Sequence, residues 1–239
     1  MESINLDKLD AEGDVREVAE QAGFDRSTFL RNGALAGAGV VAGASIFGLP
    51  SVASAAISTR PSAKNDVRIL NYALTLEYLE AAFYQAAVEQ NLFASEELKQ
   101  FAIVVAKHEA DHVAFLQKGL GKAAVKSPKL DMAAAGKAIS VEGFGPTAMA
   151  LEDTGVAAYA GQGPNLKSRA NIKAALSIHS VEARHAAWIR VLLGGGAPNA
   201  SRSAYPAPAT FDKPKSQKAV LKIVGGTGLV ASGIDLKAM

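Results

Sequence analysis

The chain has 239 residues, 49% of them hydrophobic, and a formal charge of +2, enough for one generous domain or a smaller one with appendages. It contains no cysteine, which excludes a disulfide framework, a thiolate metal site and a cysteine nucleophile. Residues 1–55 carry four Lys/Arg against eight Asp/Glu, leaving 21 bases and 15 acids for residues 56–239; those bases are scattered singly, and no nucleic-acid partner is expected.

Residues 1–25 are acidic and polar, with little periodicity. Asp25-Arg26-Ser27-Thr28-Phe29-Leu30-Arg31 then leads into a weakly hydrophobic Gly/Ala run from Asn32 to Pro50, and Ala53-Ser54-Ala55 makes a small-x-small cleavage pattern ahead of Ala56. The arrangement resembles a twin-arginine export signal in which Ser27 stands in the place of the second arginine. Three readings are open for residues 1–55: a signal removed on export, an uncleaved anchor at a membrane or envelope through residues 32–50, and a simple Ala/Gly helix. The first is preferred, and it implies a periplasmic or envelope location. The run is too short and too glycine-rich for a conventional spanning helix.

After a polar linker, residues 56–65, helical periodicity begins near Asn65 and Asp66, both good N-caps. Leu70, Ala73, Leu74, Ala81 and Tyr84 recur at helical spacing, and Glu77 interrupts that stripe on the same face. A carboxylate on a core-facing stripe is costly unless it is paired or bound to metal. Glu80 is the rival on this helix; Glu77 is preferred because Tyr84 follows it two turns later. The second helix starts after the N-cap Ser95 and runs to Leu120, where Gly121 ends it, and it carries Glu109-x-x-His112. Residues 121–145 are punctuated by glycine, proline and lysine, with one weak turn near Met132–Ala138, and form a long crossover. The third helix is expected from Pro146-Thr147 to Gly161 and carries Glu152, with Tyr159 seven residues on. The fourth, from Leu166–Ser168 to Leu193, carries Glu182-x-x-His185. The bundle thus occupies residues 66–196, and residues 197–239 form a Pro-rich extension with one helix over Pro214–Val224, wrapping the bundle or packing on a partner.

The chain therefore contains a divergent internal duplication. Each half has a Glu…Tyr helix followed by a Glu-x-x-His helix, with 32 residues from Glu77 to Glu109 and 30 from Glu152 to Glu182. Residues three apart on a helix point to the same side, so each Glu-x-x-His offers a carboxylate and an imidazole to one ion. Together, Glu77, Glu109, His112, Glu152, Glu182 and His185 resemble the di-metal carboxylate pattern of the ferritin-like superfamily, over about residues 65–193. The tyrosines are similar to those of rubrerythrin-type proteins. The leader, Ala-rich bundle and Pro-rich tail resemble bacterial ferritin-like domain proteins related to plant desiccation-associated proteins.

The resemblance implies an all-α, ferritin-like four-helix bundle with a long crossover between helices two and three, closed around two divalent ions. Four carboxylates balance two such ions in charge, and a mixed O/N donor set without sulfur suits Fe, Mn or Zn. Glu109 and Glu182 are expected to bridge, Glu77 and Glu152 to be terminal, and His112 and His185 to bind one ion each. Tyr84 and Tyr159 are expected to donate supporting hydrogen bonds. His108 and His179 are read as core histidines, since His108 points about 100° away from Glu109. The aromatics three residues after each His, Phe115 and Trp188, are expected to cover the site. Two functions are open. One is an exported di-iron or di-manganese oxidoreductase of ferroxidase, peroxidase or manganese-catalase type, acting on peroxide, O2 or ferrous iron in oxidative or desiccation stress. The other is a non-catalytic metal-binding or structural stress protein using the bundle as an interaction scaffold. A storage cage fits less well with the long leader and tail, and a homodimer through a helix face is compatible with either function.

Overall fold

The computed structural model describes residues 57–128, 134–227 and 229; the export-signal-like segment, residues 1–55, lies outside the described residues. Among the described residues there are five α-helices and no strand: α1 (Ala63–Gln90), α2 (Glu96–Leu120), α3 (Phe144–Gln162), α4 (Arg169–Arg190) and α5 (Gln217–Gly226). The architecture is the expected all-α bundle, with its long connection between α2 and α3. None of these helices is long and apolar enough to cross a membrane.

Hydroxyl caps set four of the five helix starts. Ser62, Ser95, Ser168 and Ser216 each accept a bond from the backbone N–H three residues on, a contribution of about 1 kcal/mol apiece. Helix α1 consequently begins before Asn65 and Asp66, which do not cap it. Their side chains instead make tertiary bonds. The Asp66 carboxylate accepts from the N–H groups of Lys167 (2.7 Å) and Ser168 (2.9 Å) and from Asn171 Nδ2 (3.0 Å), tying the start of α1 to the start of α4. Asn71, fully buried, does the same for the crossover: its Nδ2 donates to the Ala123 carbonyl (2.9 Å) and its Oδ1 accepts from Val125 N–H (2.8 Å).

Helix α3 is longer at both ends than its sequence suggests. Gly161 does not stop it, because its absent side chain serves another purpose. A Cβ there would lie 2.1 Å from the Lys215 carbonyl oxygen, and Lys215 N–H donates to the Ala157 carbonyl at 3.0 Å. Glycine lets the C-terminal segment cross the helix in direct contact. Helix α4 ends at Arg190 and passes into a π-helical turn, Val191–Gly195, kinked at Gly194 (φ 94°). The terminal helix, expected over Pro214–Val224, instead follows its cap at Ser216.

Short loops make α1/α2 and α3/α4 into antiparallel hairpins, densely packed within themselves. They meet through α1 against α3 and α2 against α4. The apolar interior falls into two clusters. One holds Phe83, Tyr84, Phe101, Phe144, Leu151 and Ile189, joined by Val220, Leu221 and Val224 of α5. The other holds Ile69, Leu70, Leu74, Leu116, Tyr159 and Ile178. At about 1.5–3 kcal/mol per large side chain, these clusters provide the stabilisation that offsets a polar seam at the middle of the bundle.

Candidate metal centre

Glu77, Glu109, Glu152 and Glu182 are each 0% exposed, and His185 is 2% exposed. They are drawn inward because the residues one turn away on the same helix faces are apolar: Ala73 and Leu74 before Glu77, Val105 before Glu109, Ala148 before Glu152, Ile178 before Glu182. His112 is the most open of the six, with its side chain 12% exposed.

The six residues meet as two overlapping groups. In one, Glu77, Glu109, His112 and Glu182 bring ligand atoms within 4.8 Å of one another; in the other, Glu109, Glu152, Glu182 and His185 do so. Glu109 and Glu182 belong to both. His112 Nδ1 lies 3.1 Å from Glu77 Oε2 and 3.2 Å from both Glu109 Oε2 and Glu182 Oε1. His185 Nδ1 lies 3.3 Å from Glu109 Oε1 and 3.2 Å from Glu152 Oε2. Of eight buried side-chain atoms with no hydrogen-bond partner among the described residues, five belong to this cluster: Glu109 Oε1, Glu152 Oε2, both oxygens of Glu182, and His185 Nδ1. Buried polar atoms are normally satisfied. Orphaned oxygens and an imidazole nitrogen converging on one small space are what a cation would satisfy, so the donor set fits a metal ion.

The electrostatics agree. Burial pushes the Glu77 carboxyl up to about 7, against the pull of His112. Burial, and then Glu109, raise Glu182 well above the usual carboxylate range. Glu109 is the exception: burial pushes it up, but the adjoining His112 and His185 imidazoles outweigh this, and it is held low. Burial alone would lower His185, yet the Glu109 and Glu152 carboxylates beside it lift it to about 10. Protein without a cation must therefore gather protons at this seam to tolerate its own carboxylates.

The tyrosines support the site in a crossed pattern. Tyr84 donates to Glu152, and Tyr159 donates to Glu77 Oε1 at 2.5 Å. Neither serves the glutamate seven residues before it, because two helical turns, about 10 Å of rise, exceed the reach of a phenol along its own helix. In the antiparallel α1/α3 pair each phenol stands level with the opposite glutamate instead. Phe115 and Trp188 pack against the flanking apolar clusters, with Trp188 edge-on to Phe101 at 5.1 Å.

Three further residues belong to this region. Glu80 is also buried, at 3% exposure, and burial followed by Glu182 and Glu109 raises its carboxyl well above the ordinary range. Gly155 makes room for it: a Cβ there would stand 2.8 Å from Glu182 Oε2 and 3.4 Å from Glu80 Oε1. His108 is not an isolated core histidine. Its Nδ1 lies 2.8 Å from His185 Nε2. His179 stays apart, its Nδ1 buried without a partner.

Two antiparallel helical hairpins enclosing a buried glutamate/histidine cluster define a helical-bundle protein with a carboxylate-rich site that could hold a metal ion. The family model for the ferritin-like domain matches residues 65–195, more than half of the chain, and the protein belongs to that family. No curated protein matches the chain.

Proposed function

We propose that the protein binds two divalent ions, iron or manganese, in this cluster and acts with peroxide, O2 or ferrous iron, as an exported protein protecting against oxidative or desiccation stress. The observation that carries the reading is the overlap of the two ligand groups in Glu109 and Glu182. Two ions sharing those carboxylates would be held close together, Glu77 and His112 completing one set and Glu152 and His185 the other. Iron or manganese bound there supplies reversible electron transfer at neighbouring positions; zinc would suit the same oxygen and nitrogen donors without it. The chain's own contribution is to preorganise this donor set. Tyr84 and Tyr159 fix one oxygen each of Glu152 and Glu77, leaving the other oxygen directed at an imidazole. Burial excludes bulk water, and the partial exposure of His112 marks the side nearest solvent. The export-like leader supports the location, and a folded-export route suits a protein that loads metal before leaving the cytoplasm.

The near-complete burial of the carboxylates also favours a second reading, in which the ions staple the two hairpins and no turnover occurs. The test is elemental analysis of the full chain, purified without chelator from cells supplied with iron and manganese, beside a Glu109→Ala, Glu182→Ala variant. About two equivalents of one metal, lost in the variant, are expected; well-folded wild-type protein without metal would overturn the proposal. Consumption of peroxide or O2 by the loaded protein then separates turnover from stapling.

A further inference from the structure

His108 and His185 lie on α2 and α4, and their rings are nearly coplanar, inclined by only 16° with centroids 5.1 Å apart. With Nδ1 of one ring 2.8 Å from Nε2 of the other, this is an in-plane, end-to-end hydrogen bond and not a face-to-face stack. Its direction follows from what lies at the other end of His185. Nδ1 of His185 faces Glu109 and Glu152 and has no hydrogen-bond partner. For Nδ1 to offer a lone pair to an ion, the ring must carry its proton on Nε2. His108 Nδ1 must then accept that proton's hydrogen bond, which leaves its own N–H on Nε2.

The second histidine has no such support. Nδ1 of His112 faces Glu77, Glu109 and Glu182, and no partner for its Nε2 is found among the described residues. The duplication shows why. In Lys107-His108-Glu109 the residue before the glutamate is histidine, whereas in Ser180-Val181-Glu182 the corresponding residue is valine, which has no acceptor to offer.

We propose that His108 is a positioning residue that locks His185 in the Nδ1-ligating tautomer, so that the two ion positions are inequivalent and the one at Glu152 and His185 is held more tightly. The inference rests on the metal-centre reading above. Support of this kind for a ligating imidazole is worth about ten- to a hundredfold in metal affinity.

The test uses full-length protein, His108→Ala, His108→Asn, and His179→Ala as a control, titrated with Co2+ and followed by its visible absorption. Asparagine keeps an acceptor oxygen close to where His108 places Nδ1. The expectation for wild-type protein is two Co2+ equivalents of unequal affinity. His108→Ala should weaken the tighter equivalent about ten- to a hundredfold and leave the other unchanged. His108→Asn should recover most of the loss, and His179→Ala should match wild type. In metal-free, 15N-labelled protein, a through-hydrogen-bond coupling should connect His185 Nε2 with His108 Nδ1, a readout that no general loss of stability imitates. Wild-type protein that takes up two equivalents, with His108→Ala binding both equally well, would overturn this inference alone, as would an absent coupling. Wild-type protein that takes up no Co2+ would overturn the metal-centre reading and this inference with it.

Discussion

The glutamates at the seam are costly to bury, and their substitution should separate stability from metal uptake. Glu182 is fully buried, both its oxygens lack a hydrogen-bond partner, and its carboxyl is pushed well up. Glu182→Gln removes the need to hold a proton there. Metal-free protein should melt a few degrees higher, by roughly 2–4 °C per kcal/mol gained, while the metal-induced rise in Tm is lost. A lower metal-free Tm by calorimetry would contradict this account. Gly155→Ala tests the same carboxylate from the other side. Its new Cβ meets the end of a side chain and not backbone, so circular dichroism should be unchanged while metal content falls by half or more. The two Glu-x-x-His motifs were legible in the sequence because ligand spacing along one helix is local. Which phenol serves which glutamate, the closeness of Glu80, and the bond from His108 to His185 were not. Each depends on the register between helices, and periodicity within a helix carries no information about that.

Individual elements owe their ends to two different causes, and only one of them is local. Ser95 and Gly121 bound α2 where the sequence suggests, since capping needs only neighbours in the chain. Gly161 looks like a terminator but lies inside α3, because its role is to admit the Lys215 segment. Gly161→Ala should therefore lift that segment off the bundle. Hydrogen exchange is expected to accelerate in α5 while α1 and α2 keep their protection, and uniform acceleration would show that the crossing is not a separate contact. At the other end of α3, Phe144 touches Phe83, Tyr84, Phe93 and Phe101 through ring contacts of 5.0–6.5 Å. Phe144→Ala should cost about 3–5 kcal/mol by denaturant unfolding, since it empties the centre of that cluster.

At the scale of the whole molecule, the acidic seam makes stability depend on pH in a direction set by its raised groups. Glu77 rises from 4.5 to about 7 and His185 from 6.5 to about 10. Between each pair of values the folded chain keeps a proton that the unfolded chain has released, so raising the pH favours unfolding. Metal-free protein should lose stability progressively from about pH 4.5 to about pH 10. Bound ions displace those protons, so the gap in Tm between loaded and metal-free protein should widen over the same range; a constant gap in paired melts would contradict this. The two hairpins also have a consequence for assembly. Each contributes half of the acidic seam, α1/α2 with Glu77, Glu109 and His112, α3/α4 with Glu152, Glu182 and His185, which is the arrangement of a homodimer. A single hairpin of this kind would complete the seam only by finding a second copy, at a rate set by its concentration. Carried on one chain, the two halves meet without that dependence, and they need not match: histidine stands at position 108 and valine at position 181.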